Sequence, residues 1–242
     1  MSAELKPGER IDDLQRGGLR IIQRENGFRF GTDAVLLADF AAAKLGERVC
    51  DMGTGRAFCR CCSAQAEGTT FAFEAAGVAD MARRALRSTA FEERIRVHCA
   101  DCREAGASSG MKPQPVDQPA AYGARRGTGQ PETTRALSRS DSDGPLADWM
   151  AACARVLQNG GRLCAVFPAP RLLELCDAMR GARVEPKRVR LIVSRPESAP
   201  KLALVEGRKR GKPGLHLLPM LITHTADGGF TDEMRRIYGE LS

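Results

Sequence analysis

A short apolar segment that ends in an acid and two glycines constrains the fold of this chain more than any other feature. The residues Val49-Cys50-Asp51-Met52 are followed directly by Gly53-Thr54-Gly55. This pattern is typical of a buried parallel strand that leads into a turn held against a nucleotide-like ligand. Glycine is favoured in such a turn because a backbone without Cβ atoms can turn sharply and approach a ligand closely. The segment therefore predicts an α/β fold with a ligand site where this strand ends.

Two later segments repeat the pattern of a strand that ends in an acid. Residues 69–73 are β-branched and aromatic and lead to Glu74, while residues 94–100 alternate and lead to Asp101. Residues 78–86 between them predict a helix. An acid at the end of the second strand is where a nucleotide-binding fold holds the ribose hydroxyls, with a solvated glutamate as the alternative. Three acidic strand ends at α/β spacing favour the nucleotide-binding fold.

A further element precedes the first strand. Thr32 and Asp33 stand ahead of an apolar run at residues 34–40 and are good helix-capping residues. On physical grounds alone, a capped core helix explains them.

In combination, Gly31-Thr32-Asp33, the Asp51-x-Gly53-x-Gly55 segment and the later acids resemble a known family. They are similar to bacterial class I S-adenosylmethionine-dependent methyltransferases that modify N6 of the adenine at position 37 in a valine tRNA. The resemblance covers roughly residues 12–239 and implies a Rossmann-like α/β fold. Its sheet would be mixed, mostly parallel and seven-stranded, with helices on both faces. It implies S-adenosyl-L-methionine as the cofactor, held by Thr32, Asp33, Asp51, Gly53, Gly55, Glu74 and Asp101.

The catalytic motif of the family departs most from its pattern in this chain. In the family, a central fourth strand ends in Asn-Pro-Pro-Tyr, and the asparagine side chain and a proline carbonyl accept the two hydrogens of the adenine amine. The tyrosine stacks on the target base, which must leave its stack. Here Tyr122 is the matching tyrosine, and either Pro119 takes the asparagine position or Gln118-Pro119 stands in for Asn-Pro. Because proline has no side-chain acceptor, we expect methyl transfer to be strongly reduced or absent.

The segment before that motif also argues against a regular fourth strand. Pro113 and Pro115 have no main-chain N–H to donate to a neighbouring strand, so residues 111–117 are unlike a central strand.

Residues 56–63 are a second departure, because Cys59, Cys61 and Cys62 with an intervening arginine make a poor helix face. A zinc site fails on spacing, since Cys99 and Cys102 would be the only distant pair of ligands. No metal is therefore expected. Reading residues 57–62 in a shifted frame gives an apolar, leucine-containing segment for every synonymous codon choice. We hypothesise a local frame slip there, and a weaker case at residues 118–121, where a shifted frame permits Asn-Pro-Pro.

Two basic segments suggest an RNA partner. Residues 123–143 predict a long polar loop that contains Arg125 and Arg126, and residues 207–214 predict a basic hairpin loop with Arg208, Lys209, Arg210 and Lys212. With a net charge of +7, both fit contacts to tRNA phosphates. Merely solvated loops are the alternative.

The remaining pattern predicts alternating helices and strands. Helices are expected at residues 145–157, 171–180 and 231–238, with strands at 162–167 and closing antiparallel strands at 189–193, 201–206 and 215–222. Residues 1–45 are expected to form an N-terminal strand and helix extension, and residues 46–242 a methyltransferase domain, together one compact unit.

By resemblance, the predicted function is N6-methylation of adenine in tRNA. Protein-glutamine methyltransferases share the Asn-Pro-Pro-Tyr motif and remain an alternative, as does a catalytically inactive relative or the product of a decaying gene. No run of about eighteen apolar residues is present, so no membrane span is expected. Nine scattered cysteines, a polar start and the absence of a signal-like segment favour a reduced, cytoplasmic protein, with a monomer as the expected state.

Overall fold

The computed structural model describes residues 5–13, 20–25, 32–43, 47, 49–52, 70–74, 76–87, 95–99, 118–121 and 145–241. Their strands are β1 Glu9–Asp13, β2 Arg20–Arg24, β3 Val49–Met52, β4 Thr70–Glu74, β5 Ile95–Cys99, β6 Gln118–Ala121, β7 Arg162–Pro168, β8 Val184–Val193, β9 Leu202–Lys209, β10 His216–Leu217 and β11 Leu221–Ile222. The α-helices are α1 Thr32–Ala41, α2 Ala76–Leu86, α3 Leu146–Val156, α4 Leu172–Gly181 and α5 Asp232–Tyr238, with a 3₁₀ turn at Ala169–Arg171.

Seven strands of the main sheet lie in the order β5-β4-β3-β6-β7-β9-β8. The pairs β5–β4, β4–β3, β3–β6 and β6–β7 are parallel. Strand β9 runs antiparallel to both β7 and β8, so β8 points the same way as β7. The expected mixed, mostly parallel sheet is confirmed. Among the described residues it contains nine strands, because the two-residue strands β10 and β11 also pair with β8.

The strand sequences explain why both faces of this sheet are covered. Along β7, Cys164 and Val166 join one core cluster, while Leu163, Ala165 and Phe167 join the other. The first cluster holds the apolar residues of α1 and α5, and the second holds those of α3 and α4. Because successive side chains of a strand point to opposite faces, a continuous apolar run becomes a strand buried on both sides.

Helix α1 runs antiparallel to β7 across the sheet. Arg162, the first residue of β7, donates from Nη1 to the carbonyl of Ala41 at 3.0 Å and from Nη2 to Glu47 at 2.9 Å. Arg188 donates to the carbonyl of Phe40 at 3.3 Å, and its guanidinium lies 4.9 Å from the centre of the Phe40 ring. The last turn of α1 therefore lies where the parallel strands begin. Its first residue, Thr32, lies towards the edge where they end.

The N-terminal segment forms a hairpin of two strands, β1 and β2, where the sequence predicts a single strand within residues 1–45. The two strands pair antiparallel, from Glu9 opposite Arg24 to Asp13 opposite Arg20. Ile22 packs with Met81 and Ala85 of α2 in a small apolar cluster. The hairpin is thus fastened to the helix that follows β4.

The fourth main strand lies further along the chain than the two prolines suggested. Pro113 and Pro115 lie outside the described residues, and β6 begins at Gln118. Pro119 pairs with Cys50 of β3, but the pairing with β7 starts only at Ala120. A proline is tolerated at this position because no neighbouring β7 residue is paired with it. The described central strand therefore begins after residues 111–117, the segment whose prolines disfavour a strand.

The C-terminal third corrects two further expectations. The chain does not form a β9–β10 hairpin at residues 207–214, because β9 and β10 lie on opposite sides of β8. Arg208 and Lys209 belong to β9 itself, which extends three residues beyond the expected end at 206. The segment 215–222 is not an antiparallel strand, since β10 and β11 are short and parallel to β8. Leu215, Leu217 and Met220 are exposed, so most of the apolar side chains that suggested a strand are not packed against the core.

Candidate functional site at the carboxyl edge of the sheet

The parallel strands end side by side at one edge of the sheet, which we call the carboxyl edge. Met52, the last residue of β3, is paired with Phe73 of β4 on one side and with Ala121 of β6 on the other. From β3 the chain proceeds outward to β4 and β5, and then returns to the other side of β3 as β6. The boundary between β3 and β6 is therefore a topological switch point. Open α/β sheets bind their ligands in the crevice at such a point.

Two acids predicted to hold a cofactor are described at or near this edge. Asp51 is 6% exposed and lies one residue before the end of β3, and Glu74 is the last residue of β4, paired with Cys99 of β5. A carboxylate as buried as that of Asp51 requires polar partners. Gly53, Gly55 and Asp101 lie outside the described residues, as do all of residues 53–69.

Thr32 and Asp33 begin α1 at the side of the carboxyl edge. Asp33 accepts a hydrogen bond from the main-chain N–H of Ala34 at 3.1 Å, and its charge lies in the first turn of the helix, where anions are favoured. Thr32 accepts a hydrogen bond from the hydroxyl of Tyr238 at 3.3 Å. The predicted core helix is confirmed, because Val35, Leu36 and Ala41 are fully or almost fully buried. Thr32 and Asp33 are its first two residues and do not precede it as caps.

The residues proposed for catalysis are divided by the end of β6. Gln118 and Pro119 are its first two residues, opposite Val49 and Cys50 of β3, and so lie at the start of the strand. The residues at its carboxyl end are Ala120 and Ala121. Tyr122 follows Ala121 directly and lies outside the described residues. In this arrangement Gln118 is separated from the carboxyl edge by the length of the strand, about 10 Å.

Four basic residues predicted to contact RNA lie at the opposite edge. Arg208 is paired with Arg162, and Lys209 with Val184, so both stand where β7 and β8 begin. Arg208, Arg210 and Lys212 are exposed. The length of a seven-residue strand, about 20 Å, separates this basic edge from the carboxyl edge. Arg125 and Arg126 lie outside the described residues.

Lys209 differs from the other three cations because it is half-buried and its ammonium group makes two short hydrogen bonds within the fold, whereas Arg208 is exposed and donates to the carbonyl of Gly160 at 3.2 Å. Its Nζ donates to the carbonyls of Ala154 and Leu157, both at 2.6 Å, at the end of α3. A cation is stabilising there because the last carbonyls of a helix lack partners and carry partial negative charge. Burial, followed by the charge of Arg210, lowers the pKa of Lys209. Lys209 is therefore removed from the set of candidate phosphate contacts.

Two functional features are absent from the described part of the chain. There, no group of three or more histidine, cysteine or acidic side chains is placed to hold a metal ion. Of the cysteines considered as zinc ligands, Cys59, Cys61, Cys62 and Cys102 lie outside it. None of the helices in these same ranges combines the length and apolarity needed to cross a bilayer.

The fold defined by this sheet and its switch point is that of class I S-adenosylmethionine-dependent methyltransferases. The chain is similar to a predicted O-methyltransferase from Agrobacterium tumefaciens, with a TM-score of 0.69 and 24% identity over 86% of this chain and 96% of that one. It also resembles an S-adenosylmethionine-dependent O-methyltransferase from Thermotoga maritima, with a TM-score of 0.53 and 19% identity over 78% and 68%. A third similar structure is the geranyl diphosphate C-methyltransferase of Streptomyces coelicolor, with a TM-score of 0.52 and 15% identity over 73% and 76%.

These similarities confirm the expected fold. No protein-family model matches the chain, and no curated protein matches it. The S. coelicolor structure was determined in complex with S-adenosyl-L-homocysteine, Mg²⁺ and geranyl diphosphate.

Sequence reasoning missed two residues that the tertiary structure makes important. The sequence predicts Lys209 in a loop, although the strand pattern of residues 202–206 can be extended through it. It places Tyr238 in a short C-terminal helix and indicates no tertiary contact for its side chain. Its spacing from Met234 and Ile237 indicates a buried face, and all three are buried. No local pattern, however, could have indicated contact with Thr32, 206 residues earlier.

Proposed function

We propose that this chain binds S-adenosyl-L-methionine at the carboxyl edge and is a weakly active methyltransferase for N6 of adenine in tRNA. One observation carries the proposal. Strands β3 and β6 are direct neighbours at the topological switch point, with Met52 opposite Ala121. The Asp51-x-Gly53-x-Gly55 segment continues from one strand and Tyr122 from the other. The two sequence motifs that carry the family resemblance thus start from adjacent strand ends.

The residues that would hold the cofactor are consistent with its chemistry. Asp51 and Glu74 belong to strands that lie side by side, and acids in this position can accept hydrogen bonds from ribose hydroxyls and ammonium groups. We propose Gly53, Gly55 and Asp101 as further contacts, with Thr32 and Asp33 beside the methionine end. When bound, the cofactor supplies a methyl group activated by its sulfonium.

We propose weak methyl-transfer activity because of the residues at the end of β6. The adenine amine is a poor nucleophile because its lone pair is delocalised, and acceptors for its hydrogens are needed to concentrate electron density on nitrogen. Ala120 and Ala121, which precede Tyr122, have no side-chain acceptor. Ala120 is paired with Asp51 of β3 and with Cys164 of β7, so both alanines lie within the sheet ladder. Main-chain carbonyls and the stacking of Tyr122 on the base would remain to position the substrate.

For the tRNA partner, we propose two contact regions. Arg125 and Arg126 would contact phosphates near the reacting base, because they follow Tyr122 closely in the chain. Arg208, Arg210 and Lys212 would contact phosphates at the opposite edge, about 20 Å away, a span that a folded RNA can bridge. Their exposure and the net charge of +7 support this assignment.

A second candidate is a protein that binds the cofactor without transferring its methyl group. The specific observation in its favour is the same pair of alanines at the end of β6, where the family has an asparagine-containing motif. The two candidates share the binding site and differ only in the reaction.

Calorimetry and a methyl-transfer assay together distinguish these candidates. We expect S-adenosyl-L-homocysteine to bind the purified chain, and Asp51→Asn to weaken that binding at least tenfold, because a buried charged acceptor is lost. Asp148→Asn, on the exposed side of α3, serves as the matched control and should bind as the wild type does. Absence of binding by the folded wild type would overturn the proposed site.

The reaction itself is tested with radiolabelled cofactor and unmodified valine tRNA, followed by nucleoside analysis. Slow appearance of N6-methyladenosine would support the enzyme. Cofactor binding without any labelled product would favour the second candidate, and label in a protein fraction would indicate a protein substrate. Substitution of Arg208, Arg210 and Lys212 by alanine should flatten the salt dependence of tRNA binding, with Arg24→Ala as the control.

A further inference from the structure

The last helix of the chain reaches back to the start of α1. The hydroxyl of Tyr238, the final residue of α5, donates to the hydroxyl of Thr32 at 3.3 Å. The ring of Tyr238 is 8% exposed and belongs to the core cluster that contains Val35 and Leu36 of α1. The start of α1 is therefore held both by a hydroxyl contact and by the packing of an aromatic ring.

Tyr238 is itself held firmly in place. Its ring stacks on Phe230 with an interplanar angle of 10° and a centroid separation of 5.3 Å. Thr231 caps α5 by accepting from the N–H of Met234 at 3.3 Å, and its hydroxyl donates to the carbonyl of Ile222 at 2.8 Å. Gly239 ends the helix with a φ of 77°, a conformation that suits glycine. The helix is short, but both its ends and its buried face are fixed.

This helix is anchored at the carboxyl edge. Strand β11 pairs with Ile192 and Val193 at the end of β8, and the N–H of Thr223 continues the pairing to the carbonyl of Val193 at 3.0 Å. The N–H of Thr231 in turn donates to the carbonyl of Thr223 at 3.2 Å. The start of α5 is thereby tied to the same edge as the ends of β3 and β6.

We infer that Tyr238 is a positioning residue for the cofactor site: it fixes Thr32 and Asp33 in the orientation that binds the methionine end of S-adenosyl-L-methionine. This inference rests on the proposed function. Tyr238 acts through Thr32, and its ring is turned into the core. At 3.3 Å the hydroxyl pair is long for a hydrogen bond between oxygens, so its loss should cost the fold little stability.

The test compares Tyr238→Phe with Thr231→Ala, using S-adenosyl-L-homocysteine as the calorimetric probe. Tyr238→Phe keeps the buried ring and removes the hydroxyl. Thr231→Ala weakens the same helix by removing its cap and leaves the hydroxyl in place. We expect Tyr238→Phe to raise the dissociation constant about three- to tenfold with little change in melting temperature. Thr231→Ala should lower the melting temperature and leave the dissociation constant within about twofold of the wild type.

A second pair of variants tests whether Tyr238 acts through the hydroxyl of Thr32. Thr32→Ser retains the hydroxyl and should bind the probe almost as the wild type does. Thr32→Val lacks the hydroxyl and should bind the probe measurably more weakly. If Tyr238 acts through Thr32, the loss caused by Tyr238→Phe should largely disappear in the Thr32→Val background. Hydrogen exchange without ligand should also become faster at residues 32–36 in Tyr238→Phe, but not at residues 163–167 of β7.

Each outcome bears on the inference. If the wild type binds and Tyr238→Phe binds equally well, the positioning role is overturned and the proposed function stands. If Thr231→Ala weakens binding as much as Tyr238→Phe, general loosening of the helix explains the effect and the hydroxyl has no special role. If the folded wild type does not bind the probe, the proposed function and the inference fail together.

Discussion

Arg84 of α2 holds the carboxylate of Glu9 in β1 with two hydrogen bonds, from Nη1 to Oε2 at 2.8 Å and from Nη2 to Oε1 at 2.6 Å. The two side chains are only 8% and 7% exposed. The pair joins residues that are 75 positions apart and fastens the N-terminal hairpin to the helix that follows β4.

Glu9→Gln should destabilise the protein by about 3 kcal/mol, because it leaves the buried guanidinium of Arg84 without its main counter-charge. The hydrogen bond with Arg84 is the largest cause that lowers the pKa of Glu9 below its ordinary value of 4.5. The stabilisation is therefore complete above about pH 4.5 and is lost as the pH falls through the lowered pKa of the folded state.

Denaturant unfolding of the wild type and of Glu9→Gln between pH 3 and pH 7 checks this prediction. The two unfolding free energies should converge at the acidic end. Lys6→Ala is a suitable control, since the Lys6–Asp80 pair is 59% and 45% exposed and should contribute less than about 1 kcal/mol. A pH-independent gap would contradict the assignment.

Glu206 is a second buried acid whose substitution should destabilise the protein. Its side chain is 6% exposed and accepts from Arg188 at 2.7 Å and from Arg162 at 3.5 Å, and these arginines also hold the last carbonyls of α1. Glu206→Ala leaves two partly buried cations close together, so we expect a loss of about 3 kcal/mol in the free energy of unfolding. Glu174→Ala, which removes an exposed partner of Arg171, should cost less than about 1 kcal/mol. Equal losses of unfolding free energy in the two variants would show that the buried ion-pair network stabilises the fold no more than the exposed pair does.

Gly207 should not tolerate a side chain. A Cβ atom built at this position overlaps Cε of Met179 and lies 2.8 Å from Cγ1 of Val184, in the core between β9 and α4. Gly207→Ala should therefore destabilise the protein by about 1–3 kcal/mol through overpacking. Gly181→Ala is the matched control, because a Cβ there has no neighbour within 4 Å. Thermal unfolding of the two variants side by side measures the difference, and a neutral Gly207→Ala would mean that the core around Met179 yields easily.

Cys153 should be protected from alkylation in the native state. It is fully buried in α3, and burial raises the pKa of its thiol to about 12. Because the thiolate is the reactive species, iodoacetamide at pH 8 should leave Cys153 unmodified in the native protein and label it in guanidinium chloride. Peptide mass spectrometry gives the extent of labelling. Rapid native labelling would show that α3 opens locally from the sheet.

Much of the architecture could be predicted from the sequence because its signals are local. The local residue pattern is enough to predict the apolar strand Val49–Met52 and the helix that starts at Thr32. The same holds for α3, where the expected helix at 145–157 matches Leu146–Val156. In each case periodicity and capping are properties of neighbouring residues, so a single segment carries the information.

The basic segment shows where that reasoning stops. In the sequence, one basic run contains Arg208, Lys209, Arg210 and Lys212, and nothing distinguishes its members. In the structure, Lys209 caps the end of α3 and the other three are exposed. Their position at the edge opposite the carboxyl edge follows from the antiparallel direction of β9. Strand direction depends on pairing with distant segments, which composition does not encode.

The sequence by itself determined the class of fold and the ends of β3 and β4, because an apolar run that leads to an acid, followed after β3 by glycines, needs no distant partner to be recognised. Only the tertiary structure decided that β6 lies against β3 at the switch point, with Ala121 opposite Met52. It alone brought Tyr238 to Thr32, across 206 residues of chain. The physical reason is common to both: strand register and the packing of buried side chains are settled by contacts between segments remote in sequence, and those contacts arrange the site.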